Sequence, residues 1–396
     1  MTTATLTPLR LLIVDDEPDL ETLFRQKFRK QIKQGDFHVK FASNGKEALE
    51  TIDASNEIDI ILTDINMPIM DGLTLLARLA ERDELFKAVV ISAYGDMDNI
   101  RTAMNRGAFD FITKPIDFID LEITLEKTAT EVFKLRAGQD ATRRLVEVDH
   151  ELDVAARIQE SILPKTFPPF PNRSELEIFA AMTPAKQVGG DFYDFFFIDD
   201  HHLAFVIGDV SGKGVPAALF MAVCRTLIKA TALHEHAPDE CLNHVNRLLY
   251  ADNASDLFVT VFYAVLDTRT GEVSYSNAGH NTPYWVRNNG TAPEALLNQG
   301  GLVLGVMENV TYVRTSLQLG VGECLFLYTD GVTEAMDQDN ALFCDDRLIE
   351  HLNQGSGSSL KDMTACVVEG LHAFTRNHPQ HDDITMLAVR YNGTET

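Results

Sequence analysis

Basic residues are scarce in this chain. Thirty-four Lys and Arg stand against 59 Asp and Glu, a formal net charge of −25 over 396 residues. Such a polyanion is repelled by nucleic-acid phosphates and by anionic bilayers unless it carries a local basic patch. No such patch is present, so neither nucleic acid nor a membrane surface is expected as a partner. Long apolar runs are missing too. None reaches the roughly 18 residues that a membrane-crossing helix requires. The N-terminal LLIV at 11–14 meets Asp15 and Asp16 too soon for a signal-peptide core. Cysteine is rare: Cys224, Cys241, Cys324, Cys344 and Cys366 are odd in number, widely spaced and confined to the C-terminal half. That pattern is neither a disulfide framework nor a zinc site, and buried thiols in a cytoplasmic chain are the expectation. What remains, 45% hydrophobic and 23% charged residues, is an ordinary globular composition whose length suggests two or three domains.

Residues 9–116 alternate the apolar runs LRLLIVDD, HVKFAS, IDIILTDI, KAVVISAY and DFITKP with amphipathic stretches such as DGLTLLARLAERDEL. Five short strands separated by helices predict a doubly wound, five-stranded parallel α/β domain. Ligands of such sheets bind at the carboxyl ends of the strands. From about 117 to 164 the strand signal disappears. Phe118, Leu121, Leu125, Thr128, Val132 and Leu135 follow coiled-coil a/d spacing. The phase slips near Gly138 and resumes through Leu145, Val148, Leu152, Ala155, Ile158 and Ile162, until Pro164 and the PPFP cluster at 168–171 stop the helix. One narrow seam predicts a partner, and a homodimer through this helix is the economical one. Glycine at 138 costs about 1 kcal/mol relative to Ala and marks a weak point. Residues 175–396 are strand-rich, with helical stretches at 214–232, 238–251 and 360–375, which predicts an α+β domain. The expected domains are 1–120, a helical coiled-coil linker at 121–165, and 166–396.

Asp15 and Asp16 end the first strand, Asp64 the third, Ser92 the fourth and Lys114 the fifth. In a parallel sheet these ends converge on one edge. Three carboxylates together call for a hard cation such as Mg²⁺. A lysine ammonium and a serine hydroxyl opposite them can hold phosphoryl oxygens, and an aspartate there can act as nucleophile. Over about residues 8–120 this half resembles the CheY-like receiver domain of two-component response regulators. The matching residues are the Asp15–Asp16 pair, Asp64 in DINMPIMDG (64–72), Ser92, Phe111 and Lys114–Pro115. The resemblance implies that Asp64 is phosphorylated by a sensor histidine kinase, with Mg²⁺ held by Asp15, Asp16, Asp64 and Asn66. It also implies that Phe111 is a rotameric switch, although a Phe there could equally be core.

In the second half, GGDFYD (189–194), GDVSGKG (208–214), TDGVTEA (329–335) and HDDITM (381–386) each set an Asp at or beside a strand end. Glycine beside Asp191, Asp209 and Asp330 permits close backbone approach. Oxygen-only ligands select Mg²⁺ or Mn²⁺, and two such ions can activate a water against a phosphoester. The order of these motifs resembles the metal-dependent protein phosphatase (PPM) family, and more narrowly its bacterial RsbU/SpoIIE-like branch, over about residues 155–392. AARIQESILP (155–164) is similar to that branch's lead-in helix and NAGHNTPYW (277–285) to one of its sheet motifs. The resemblance implies a β-sandwich core flanked by helices and two Mn²⁺ or Mg²⁺ ions. It implies ligation by Asp191, Asp209, Asp330 and Asp382, with the Val210 carbonyl helping and Asp383 sharing or replacing Asp382.

Two other motifs point elsewhere and are set aside. CLNHVNR (241–247) has the Cys-x5-Arg spacing of thiol phosphatases but lacks their glycine-rich phosphate loop. GDVSGKG has Gly214 where a nucleotide P-loop needs Ser or Thr. His280 and His381 lie near the motifs and are expected in supporting or surface roles. The expected function is a response regulator whose output is a PPM-type protein serine/threonine phosphatase. The branch resemblance implies a phosphorylated anti-sigma-factor antagonist (STAS domain) as substrate. No partner-switching kinase domain follows residue 392, so such a kinase is expected on a separate chain. The rival reading is a non-catalytic adaptor that binds a sigma factor or anti-sigma component under receiver control.

Overall fold

The computed structural model describes residues 8–54, 57–82, 85–93, 95–253, 256–288, 290–296, 300–376 and 378–393. The chain forms two compact units, Met1–Val148 and Asp149–Thr396.

In the first unit, β1 (Leu9–Val14), β2 (Phe37–Ala42), β3 (Ile60–Asp64), β4 (Lys87–Ala93) and β5 (Asp110–Lys114) form a parallel sheet in the order β2-β1-β3-β4-β5. Every residue of β3 is buried, which is why the central strands read as unbroken apolar runs. Helices α1 (Pro18–Lys27), α2 (Arg29–Gln34), α3 (Gly45–Asp53), α4 (Gly72–Leu79) and α5 (Met97–Asn105) connect the strands. Asn44 and Asp71 cap α3 and α4 by accepting from backbone N–H groups of the first turn. One face of the sheet packs Leu12, Ile61 and Val90 against Ala48, Leu75 and Ala103. The other packs Ile13, Leu62 and Ile91 against Phe24, Phe28 and the start of α6 (Phe118–Ile162).

Helix α6 runs unbroken for 45 residues, so Gly138 is accommodated without a break. Its first turns do not present the expected inter-chain seam. Leu121, Leu125 and Val132 are each 1% exposed and Thr128 is fully buried, all within the receiver core. Arg136 forms an ion pair with buried Asp59, which also accepts the Arg10 backbone N–H at 2.7 Å. The receiver therefore extends along the helix beyond residue 120, because its own sheet covers that part of the stripe. Further along, Leu145, Val148 and Ile158 are 70%, 53% and 59% exposed.

Among its described residues the second unit has two sheets. One, in the order β13-β10-β9-β8-β7, comprises β7 (Phe192–Phe197), β8 (His202–Val210), β9 (Val259–Asp267), β10 (Glu272–Ala278) and β13 (Thr315–Gln318). The other, β12-β11-β14-β15-β6, comprises β6 (Leu176–Thr183), β11 (Tyr284–Val286), β12 (Glu294–Ala295), β14 (Cys324–Tyr328) and β15 (Ile384–Tyr391). Leu325, Leu327, Leu387 and Val389 point inward to one core with Phe205 and Phe262 of the facing sheet. The alternate residues Phe326, Tyr328, Met386 and Ala388 face outward beneath α10 (Cys344–Gln354) and α11 (Leu360–Thr375), as the period of two requires. Helices α7 (Val215–Ala232) and α8 (Pro238–Ala251) add Ala217, Met221, Ile228, Leu242 and Val245 to the first core. The short α9 (Asp330–Thr333) follows β14.

Helix α7 is long and apolar enough to cross a membrane by length and composition, which the count of uninterrupted apolar residues does not detect. In the domain its inner face is buried, and Arg225 and Lys229 reach the buried carboxylate of Asp194 at 2.8 and 3.5 Å.

Candidate active sites

Because β1, β3, β4 and β5 are parallel, their carboxyl ends share one edge. Asp15, Asp16 and Asp64 there bring carboxylate oxygens within 4.8 Å of one another. Lys114 Nζ donates to Asp15 at 3.2 Å, Glu17 at 3.0 Å and Asp64 at 3.1 Å. Burial opposes the Lys114 charge, but hydrogen bonds to Glu17 and Asp64 outweigh it and raise its pKa. Burial, with a smaller contribution from the Asp64 charge, raises Asp15 despite Lys114. One ammonium does not neutralise this cluster, and a hard divalent cation fits the remaining charge. The Ser92 hydroxyl is buried with no hydrogen-bond partner among the described residues, which suits a donor kept for an incoming oxygen. Gly72 is required sterically, because a Cβ would stand 2.1 Å from the Asp64 carbonyl oxygen. Asn66 is exposed two residues beyond the end of β3, and Phe111 is 37% exposed on edge strand β5. Glu17 escaped the sequence reading because it follows the strand-end pair rather than belonging to it.

The aspartates of the second unit come from four separate segments. Asp191 stands before β7, Asp209 near the end of β8, Asp330 at the start of α9 and Asp382 just before β15. Asp191 is 1% exposed and its Oδ2 accepts the Thr329 hydroxyl at 2.7 Å. Burial, then the charge of Asp209, pushes Asp191 well above the usual carboxylate range. Burial, then Asp330 and Asp382, pushes Asp209 up to about 7. Burial and Asp382 raise Asp330 in the same way. Carboxylates that raise one another in this way do not all ionise unless cations are supplied. The all-oxygen donor set matches Mg²⁺ or Mn²⁺.

The neighbours Asp382 and Asp383 do different work. Asp383 is 7% exposed and accepts the backbone N–H groups of Ala185 and Gly190, both at 2.7 Å. The charge of Asp382 raises Asp209 more than that of Asp383 does, and the Asp382 Oδ2 lies 2.8 Å from Lys213 Nζ. Lys213 also donates to the His381 carbonyl. A Cβ on Gly331 would come within 2.0 Å of the Asp383 carbonyl oxygen, and one on Gly190 within 2.9 Å of the Val210 carbonyl oxygen. The glycines therefore allow these four segments to meet. His280 is buried, with Nδ1 2.8 Å from the Thr260 hydroxyl, and burial pushes its pKa down to about 3. It is a neutral strut behind Asp209. The His381 ring is exposed and pairs with His378 at 3.2 Å. The Cys241 thiol is fully buried and burial pushes it up to about 12, which leaves no thiolate for catalysis. Sequence reasoning missed Lys213 and Thr329 as members of this site. Lys213 was visible only inside the motif set aside as a P-loop.

The model of the response regulator receiver domain matches residues 11–126, and that of stage II sporulation protein E (SpoIIE) matches residues 199–392. Protein IcfG of a Synechocystis species is 32% identical over 61% of this chain, which spans 42% of that protein's length. Phosphoserine phosphatase RsbU of Bacillus subtilis is 30% identical, covering 62% of this chain and 71% of RsbU. The solved SiaA-PP2C domain of Pseudomonas aeruginosa superposes with a TM-score of 0.56 at 23% identity, over 63% of this chain and 98% of that domain, a likeness of fold. With the strand order, the carboxylate cluster and the RsbU match in agreement, the chain belongs to the SpoIIE/RsbU-type family of metal-dependent serine/threonine phosphatases and carries a response-regulator receiver domain ahead of that domain.

Proposed function

We propose that this response regulator hydrolyses phosphoserine or phosphothreonine on a phosphorylated anti-sigma-factor antagonist of the STAS type, under control of phosphorylation at Asp64. The observation that carries the catalytic reading is the set of four carboxylates, with Asp191 buried and Asp209, Asp330 and Asp382 partly exposed, in which the charge of Asp209 raises Asp191 and those of Asp330 and Asp382 raise Asp209. When bound, two Mg²⁺ or Mn²⁺ ions would neutralise these carboxylates and activate a water for in-line attack on the phosphoester. Thr329 orients Asp191, Lys213 holds Asp382, and the glycine turns bring the four segments together. The choice of substrate is supported by the likeness to RsbU, a phosphoserine phosphatase. In the receiver, the Asp64 carboxylate would attack the phosphorus of a histidine kinase's phosphohistidine, breaking the P–N bond. Lys114 and Ser92 would then hold the transferred oxygens, beside Mg²⁺ bound by Asp15, Asp16, Asp64 and Asn66. The exposed apolar residues Leu145, Val148 and Ile158 support a homodimer through α6. Retention of the full carboxylate set weighs against the adaptor reading.

The test is release of phosphate from a phosphorylated STAS-domain protein on addition of Mn²⁺. Binding of that protein without any release in Mn²⁺ or Mg²⁺ would select the adaptor instead. Within the same assay, Asp382→Asn will lower turnover while leaving the melting temperature of the metal-free chain nearly unchanged. Asp383→Ala will lower the melting temperature as well as turnover at limiting metal, because Asp383 also holds the turn that carries Asp191. It leaves the buried Gly190 N–H without an acceptor, a cost of about 1–3 kcal/mol, and frees the part-buried Ala185 N–H, so its melting temperature will fall. Equal loss of turnover with unchanged melting in both variants would remove the distinction between the two residues.

A further inference from the structure

The turn that carries Asp191 is gripped from outside the carboxylate cluster. Gln159 of α6 is 8% exposed. Its Nε2 donates to the Gly189 carbonyl at 2.6 Å, and its Oε1 accepts the Gly189 N–H at 3.0 Å. One side-chain amide thus satisfies both backbone groups of one residue, as a neighbouring strand would. On the far side, Asp383 accepts the Gly190 N–H at 2.7 Å, and a Cβ on Gly189 would stand 2.5 Å from Asp383 Oδ2. The Gly189–Gly190 backbone therefore fits between two side chains with no room to shift toward Asp383. Further bonds join this segment to the helix and the turn that ends it. Gln187 donates to Asp149 at 3.3 Å, and the Tyr193 hydroxyl to the Pro164 carbonyl at 2.7 Å. Asp191 lies two residues beyond the gripped glycine and one before β7. Its position is therefore set by this turn rather than by a strand's own hydrogen bonds, whereas Asp209 lies within β8.

We propose that Gln159 is a positioning residue for the phosphatase site: it ties the placement of Asp191, and hence the metal affinity of the cluster, to the position of helix α6. Hydrogen bonds of this length tolerate only a few tenths of an ångström, while one residue of helix is about 1.5 Å of rise. Sliding α6 by even one residue must drag Gly189 along or release it. The inference rests on the reading of the four aspartates as a metal centre.

The experiment uses the full chain and Mn²⁺ as the probe. Gln159→Leu keeps the helix and the bulk of the side chain but removes both bonds. Loss of a residue that orients a metal ligand costs about 10–100-fold in metal affinity. Calorimetric Mn²⁺ affinity and the half-saturating Mn²⁺ of turnover should weaken by that factor, with turnover largely recovered at saturating metal. Amide hydrogen exchange at 189–191 should accelerate. Gln159→Glu keeps an acceptor for the Gly189 N–H and loses the donor, so it should fall between. Arg157→Ala, exposed on the same helix, should match wild type. Wild-type Mn²⁺ affinity in Gln159→Leu overturns the inference, whether or not the melting temperature drops, because a packing residue would move only the latter. Mn²⁺ binding that is the same in wild type and in Asp209→Asn, and so confined to the receiver carboxylates, overturns the metal-centre reading and this inference with it.

Discussion

Asp209→Asn will reduce Mn²⁺-dependent phosphate release by at least about a hundredfold, more than the loss of an orienting residue costs. Asp209 is the hub of the cluster: the charges of Asp330, Asp382 and Asp383 raise its carboxyl, against a hydrogen bond with Asp191. The same substitution will stabilise the metal-free chain at neutral pH, because it removes a buried like charge. The sign follows from proton binding. Asp209, pushed up to about 7 by burial and its neighbours, keeps its proton in the folded metal-free chain where the unfolded chain, near 3.9, has lost it. The folded state binds more protons, so stability falls as pH rises from about 4 to about 7. Asn at 209 will flatten that fall. Melting temperatures in chelator across this range check the point. Cys241→Ser will leave turnover unchanged, because its thiol is buried in α8 and held protonated. Full activity in Asp209→Asn, or loss in Cys241→Ser, would sink the bimetallic mechanism.

Asp64→Asn will abolish labelling of the chain by a small acyl-phosphate donor in Mg²⁺. The Asp64 carboxylate is buried at the end of β3, in reach of Lys114 at 3.1 Å and beside the Asp15–Asp16 pair. Asparagine fills the same space and can still accept from Ile65 N–H, which Asp64 Oδ1 does at 2.8 Å, so the fold should survive. It lacks the anionic oxygen that attacks phosphorus. Removing the Ser92 hydroxyl, which has no hydrogen-bond partner among the described residues, should slow labelling without destabilising the unit. Labelling that persists in Asp64→Asn would place the acceptor elsewhere.

Both constellations could be read in the linear chain because each rests on local pattern. Asp15, Asp16, Asp64, Ser92 and Lys114 each close an apolar run, and parallel strands necessarily bring such ends to one edge. The glycine–aspartate motifs announce close backbone approach in the same way, and in the structure Asp209 has Asp191, Asp330 and Asp382 as electrostatic neighbours. Tertiary structure alone decided what each side chain meets. An a/d stripe looks the same whether a second helix or a sheet covers it, and here Leu121, Leu125 and Val132 face the receiver sheet. Asp382 and Asp383 are adjacent and chemically identical. Only the N–H groups of Ala185 and Gly190, brought in from nearly 200 residues away, give them separate roles. Gln159 and Lys213 stand inside the motifs AARIQESILP and GDVSGKG, but nothing local marks what they hold, and Glu17 stands in no motif. Their partners lie 30, 169 and 97 residues distant in sequence, and contacts of that range are set by how the elements pack rather than by local spacing.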